Sequence, residues 1–297
     1  MTPALTTPVT VDSLPFRLDF DDGIVCLGSC FADEIGKRLC DSGFNVEQNP
    51  CGTLYNPASM AAALHRIIDN RELTADDLVQ HDGLWHSWHH NGSFSRPAPE
   101  STLEACNSRI HQAHTALQSA RLLMLTFGTA YVFEHQGMVV ANCHKLPPTY
   151  FTRRRLTVEE IVTQWQPLLQ RLAAFNPRME MLFTVSPIRH MADGAHGNQL
   201  SKSTLLLSVD RLANPVTPSG TPATHLPPTH YFPAYEIVLD ELRDYRFFGP
   251  DMTHPTPLAA DIVWDRLRQA TMSPHTIQQA HNNAKLLRTS RHQPLHP

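Results

Sequence analysis

Short apolar runs, each stopped by a small or polar residue and each followed by a helical pattern, constrain this fold more than any other feature. Gly23-Ile24-Val25-Cys26-Leu27 ends at Gly28, and Phe31, Ile35 and Leu39 follow at helical spacing until Gly43. Such a run reads as a buried strand feeding a helix. Leu122-Leu123-Met124-Leu125-Thr126-Phe127 and the run over 179–185 have the same look. Asn56-Pro57 opens a helix with proline in its first turn. Ser101-x-x-Glu104 and Thr157-x-x-Glu160 have capping-box spacing, and Pro257 starts a late amphipathic helix through Ala270. Strands that are apolar throughout, alternating with helices, predict a mainly parallel sheet covered on both faces.

That expectation sets the domain plan. One domain is expected over 14–272, with an inserted hairpin around 84–95 lying over the site. A loop rich in proline spans 214–229 (Pro215, Pro218, Pro222, Pro227, Pro228). The stretches 1–13 and 273–297 read as loose tails, the second as a mobile tail or a frayed helix. The 297 residues carry 24 Lys+Arg against 28 Asp+Glu, a formal charge of -4, with no basic stripe beyond Arg153-Arg154-Arg155. A nucleic-acid partner is therefore disfavoured. No apolar run is long enough to span a bilayer, so no membrane partner is expected. The first twenty residues lack a basic and then apolar leader, and 6 cysteines in so long a chain do not read as a disulfide framework, so the cytoplasm is the expected location. Histidine is abundant at 18 residues, yet neither HExxH nor paired CxxC spacing occurs, and no metal is expected.

Two strings carry chemistry. In Gly28-Ser29-Cys30-Phe31-Ala32, a hydroxyl and a thiol sit where a strand turns into a helix. A nucleophile there is exposed, and the helix amino end favours negative charge, which activates a thiol. In Asp251-Met252-Thr253-His254-Pro255, an aspartate precedes a histidine by three residues in a loop entering the last amphipathic helix. His254 can take a nucleophile's proton while Asp251 fixes its tautomer.

Together these strings resemble the GSCFA family, which is named for the residues 28–32. That family looks like a branch of the SGNH (GDSL-like) hydrolases, whose last block is commonly Asp-x-x-His-Pro. The resemblance spans about 14–269 and takes in 85–95, 127–131, 141–145, 186–190, 197–203 and 247–256. It implies a three-layer α/β/α sandwich with a mainly parallel, flavodoxin-like sheet, and ester-type acyl chemistry without metal or organic cofactor.

The resemblance also exposes two departures. Cys30 holds the place of the superfamily's serine nucleophile and Ser29 that of its aspartate, so Cys30 is favoured as nucleophile over Ser29. The Gly-x-Asn block, which supplies an oxyanion-hole amide, reads Gly128-Thr129-Ala130 here. The hole then rests on backbone N–H groups of Cys30 and Gly52, with Thr129 or Asn142 as the side-chain substitute. Five further residues are candidates for substrate binding. They are His90 and His144 near the inserted hairpin, Arg189 and His190 after a buried strand, and Lys202 at a helix entrance. The expected activity is hydrolysis or transfer of an acyl group from a small-molecule or glycan ester or thioester, through an acyl-enzyme. The alternative is a catalytically silent binding module for a sugar or acylated small molecule.

Overall fold

The computed structural model describes residues 6–214 and 228–291. Five strands make one parallel sheet: β1 (Gly23–Gly28), β2 (Asn45–Gln48), β5 (Ala120–Phe127), β9 (Glu180–Val185) and β10 (Thr229–Tyr231). Their order is β10-β9-β5-β1-β2, and every neighbouring pair is parallel. Leu27 faces Leu125, Leu125 faces Phe183, and Phe183 faces Tyr231, so one row of large side chains crosses the sheet.

Side chains alternate between two cores, as the period of a strand requires. Val25, Leu27, Leu123, Leu125 and Phe183 pack under α2 (Pro57–Ile68), α3 (Pro99–Ser119), α4 (Val158–Phe175) and α5 (Gly194–Ala213). Ile24, Cys26, Leu122, Met124 and Leu182 pack under α1 (Cys30–Asp41) and α7 (Pro257–Thr271). A short α6 (Ala234–Glu236), running into a π-turn at Ile237–Glu241, covers the same face. The result is the expected three-layer α/β/α sandwich. Phe127, Trp165 and Phe183 meet edge-to-face at its centre, with ring centroids 5.0–5.4 Å apart. Each such buried ring contributes about 1.5–3 kcal/mol.

Two antiparallel pieces are added to this frame. Strands β3 (Leu78–His81) and β4 (Leu84–Ser87) form the hairpin, turning on Asp82 and Gly83, both at positive φ. It therefore begins earlier than the expected 84–95. The second piece has no counterpart in the sequence reading: β6 (Tyr131–His135), β7 (Met138–Val140) and β8 (Thr152–Arg155) form a three-stranded sheet in the order β7-β6-β8.

Three expectations need correction. Residues 274–291 are not a loose tail, because α8 (Pro274–Arg291) packs on the core, while 292–297 lie outside the described residues. Ala280 is buried there, and Asn283 Nδ2 donates to the Ser42 carbonyl at 3.0 Å. The described part of the amino-terminal arm is docked at Val9, whose N–H donates to Glu241 Oε2 at 2.9 Å and whose carbonyl accepts from Arg266. Ser101 caps nothing, since Pro99 starts α3 two residues earlier with Ala98 at the cap. The capping box at Thr157 and Glu160 forms, and α4 continues through Pro167. Of the loop at 214–229, residues 215–227 lie outside the described residues, and Thr229 opens β10.

Candidate active site

The strand order fixes where a site can form. From β1 the chain goes to β2 on one side and then to β5 on the other, so the carboxyl ends of β1 and β5 flank a switch point, where open parallel sheets bind ligands. A cavity of about 740 Å³ lies there. Ser29 and Cys30 reach it from the end of β1, Tyr55 and Asn56 from the start of α2, and Thr129 from the end of β5. Arg189, His190 and His254 close it from the loops after β9 and before α7. The added three-stranded sheet supplies an apolar wall of Tyr131, Phe133, Val140 and Ala141.

Ser29 and Cys30 divide the work of the turn. Gly28 has φ +147°, and a Cβ there would lie 2.3 Å from the Thr126 carbonyl oxygen, so only glycine lets β1 end this close to β5. Ser29 is buried and is the N-cap of α1, its Oγ accepting the Phe31 N–H at 3.3 Å. Cys30, the first helical residue, is half-buried and faces the cavity. Its Sγ lies 3.4 Å from Tyr55 Oη.

His254 and Asp251 are paired as their spacing predicts, with Nδ1 to Oδ2 at 2.5 Å. The other carboxylate oxygen accepts the His254 and Thr253 backbone N–H groups at 3.0 and 2.9 Å. These backbone donors, His254 first, and then the imidazole hold the Asp251 carboxyl far below the usual carboxylate range. A carboxylate at Nδ1 makes that nitrogen the donor and leaves Nε2 free. His254 lines the same cavity as Cys30.

Arg189 and His190 also lie where the sequence puts them. The Arg189 guanidinium has no hydrogen bond or ion pair among the described residues, unlike Arg153, which pairs with the buried carboxylate of Asp193 and stacks over Tyr131. Burial, then the nearby charge of Lys202, pushes His190 down to about 4, so its ring is neutral at pH 7. Asn142 reaches the cavity with its Oδ1 held by the His144 N–H at 2.8 Å, so its amide Nδ2 remains as a donor. The Cys30 N–H, an orphan of the first turn, also remains.

Five candidate residues are placed elsewhere or are otherwise engaged. Gly52 is not on the cavity, and its N–H closes a turn onto the Asn49 carbonyl at 2.7 Å. Thr129 lines the cavity, but its hydroxyl accepts the Tyr131 N–H at 3.1 Å and bonds Ser201 at 3.0 Å. His90 is buried behind the hairpin against Phe94, with Nδ1 on the Ser87 hydroxyl at 3.1 Å. His144 is buried too, stacked on His86 at 4.5 Å with Nε2–H donating to the Ser87 carbonyl at 2.8 Å. Lys202 is buried and donates to the carbonyls of Gly128 and Ser186 at 2.6 and 2.7 Å, clamping the ends of β5 and β9 together. Burial, followed by the charge of Arg189, pushes this amine down to about 7. The hairpin therefore braces the loop of Asn142 from behind, with the Ala141 N–H on the Trp88 carbonyl at 2.7 Å, instead of covering the cavity.

Among the described residues, no group of three His, Cys, Asp or Glu is placed to hold a metal ion, and no helix is long and apolar enough to cross a membrane. All six cysteines are free thiols.

The sheet order and the cavity define a parallel α/β/α protein that gathers a thiol, an imidazole–carboxylate pair and the Arg189 guanidinium at its switch point. The chain belongs to the GSCFA family, whose pattern matches residues 23–267. Among solved structures it is similar to a carbohydrate esterase family 3 protein from Talaromyces cellulolyticus, with a TM-score of 0.38 and 8% identity. That match covers 87% of this chain and 98% of the other. No curated protein matches the chain.

Proposed function

We propose that this protein is an acyl hydrolase or acyltransferase working through a thioester on Cys30. The observation that carries the reading is the shared cavity: a thiol at a helix amino end faces the same space as an imidazole whose far nitrogen is fixed by a carboxylate. His254 Nε2 takes the thiol proton as Sγ attacks an ester or thioester carbonyl carbon. The tetrahedral adduct collapses, the leaving group departs with the proton from His254, and the acyl group stays on sulfur. Water or an acceptor nucleophile, deprotonated by the same imidazole, then takes the acyl group and restores the thiol. Asp251 stabilises the imidazolium in both halves. The Cys30 N–H and the Asn142 amide are the proposed donors to the oxyanion. The apolar wall of Phe133, Val140 and Ala141 suits an acyl chain or another apolar portion of the substrate. Arg189, without a partner among the described residues, suits an anionic group on a small-molecule or glycan substrate.

The test is a rapid-mixing experiment with 4-nitrophenyl acetate. A burst of nitrophenol close to one per enzyme is expected, absent from Cys30→Ala and slowed in His254→Ala. A burst of full size in Cys30→Ala rules the reading out. The alanine at 130 in the Gly-x-Asn position is what favours the alternative, a silent binding module, and a parent protein without any burst would support it.

A further inference from the structure

Alanine in the Gly-x-Asn position leaves the superfamily's asparagine donor missing, and the Thr129 hydroxyl beside it is engaged by the Tyr131 N–H and Ser201. We infer that the Tyr55 hydroxyl is a further donor to the oxyanion, beside the Cys30 N–H and the Asn142 amide. The inference rests on the reading of Cys30 as nucleophile.

The Tyr55 Oη lies 3.4 Å from Cys30 Sγ. An oxyanion forms on the carbon that this sulfur has just bonded, so a hydroxyl touching the sulfur needs only a small rotation to reach that oxygen. Charge moves from sulfur to oxygen in the same step, and the donor follows it. A donor that strengthens its bond only as the charge develops lowers the barrier and not merely KM. Tyr55 is suited to this in two further ways. Burial, and then the contact with Cys30, raises its phenol above the usual range, so the proton to be donated is retained. The residue is also held in place: its carbonyl accepts the Gly128 and Thr129 N–H groups at 2.8 and 2.9 Å, and its ring stands edge-on to His190 at 5.8 Å. Gly128 and Thr129 are the first two residues of the altered block, so the block that lacks the asparagine itself positions the tyrosine. No proton is transferred to or from Tyr55. It donates one hydrogen bond and keeps its proton throughout.

Two reactions of the same thiol separate this role from a structural one. Acetylation by 4-nitrophenyl acetate passes through an oxyanion, whereas alkylation by iodoacetamide displaces iodide and forms none. Tyr55→Phe keeps the ring and the backbone contacts. It is expected to slow single-turnover acetylation roughly 100- to 1000-fold, while alkylation of Cys30, followed by peptide mapping, stays within a fewfold of the parent. Equal losses in both reactions, or acetylation at the parent rate, overturn the role of Tyr55 and leave Cys30 as nucleophile untouched. Acetyl transfer that persists in Cys30→Ala overturns the nucleophile reading and the tyrosine's role with it.

Discussion

Lowering the pH from 7 to 5 should cost this fold about 4 kcal/mol through two buried imidazoles alone, those of His90 and His144. Burial, the largest cause at both, pushes His90 down to about 3 and His144 down to about 4 from an ordinary 6.5. For His90 the charges of His89 and Arg66 act in the same direction, and Asp77 opposes them. For His144 the bond to the Ser87 carbonyl opposes the shift, and the charges of His86 and His81 add to it. Because both folded values lie below 6.5, the unfolded chain binds more protons between about 4 and 6.5. Stability is therefore full at pH 7 and falls with pH through that window. At pH 5 each ring contributes a loss of about 2 kcal/mol, a large part of a total that is typically 5–15 kcal/mol. Urea melts at pH 7, 6 and 5 measure the slope directly. His90→Gln should flatten it by about 1.4 kcal/mol per pH unit, whatever it does to stability at pH 7. A stability that is level from pH 7 to 5, or a slope that His90→Gln leaves unchanged, would refute the reasoning.

Three substitutions probe the site's frame. Gly28→Ala sets a methyl 2.3 Å from the Thr126 carbonyl oxygen, where only backbone can yield; urea melts should show a loss of about 3 kcal/mol. Ser29→Ala removes the α1 cap and should cost about 1 kcal/mol in the same assay, with turnover largely kept. Asp251→Asn should slow deacylation of a preformed acetyl-enzyme by roughly 10- to 100-fold, less than for a buried triad aspartate because this one is half-exposed.

Much of the frame was legible because strand, turn and helix signals agreed locally. The run ending at Gly28, the cap at Ser29 and the apolar spacing of Phe31, Ile35 and Leu39 all point to one strand–helix turn, which forms. The Asp-x-x-His spacing likewise places Asp251 on His254 because a loop of that length needs no distant partner. The three-stranded sheet behind the cavity also left a local sign, Gln136-Gly137 between two β-rich runs, and both residues turn at positive φ. Lys202 and His144 misled for a different reason. A polar side chain in a sequence carries no record of whether carbonyls from distant loops will enclose it, and Gly128, Ser186 and Ser87 do so here. Tyr55 belongs to no motif at all. Only the fold brings it to Cys30, 25 positions away.

The central claim, that Cys30 carries the acyl group, is tested most directly by acid-quenching the parent protein during turnover of 4-nitrophenyl acetate and mapping the adduct by peptide mass spectrometry. One acetyl group is expected, on the peptide's Cys30, labile to hydroxylamine at neutral pH as a thioester is. An acetyl group on Ser29, stable to that treatment, or turnover with no adduct on either residue, would contradict it.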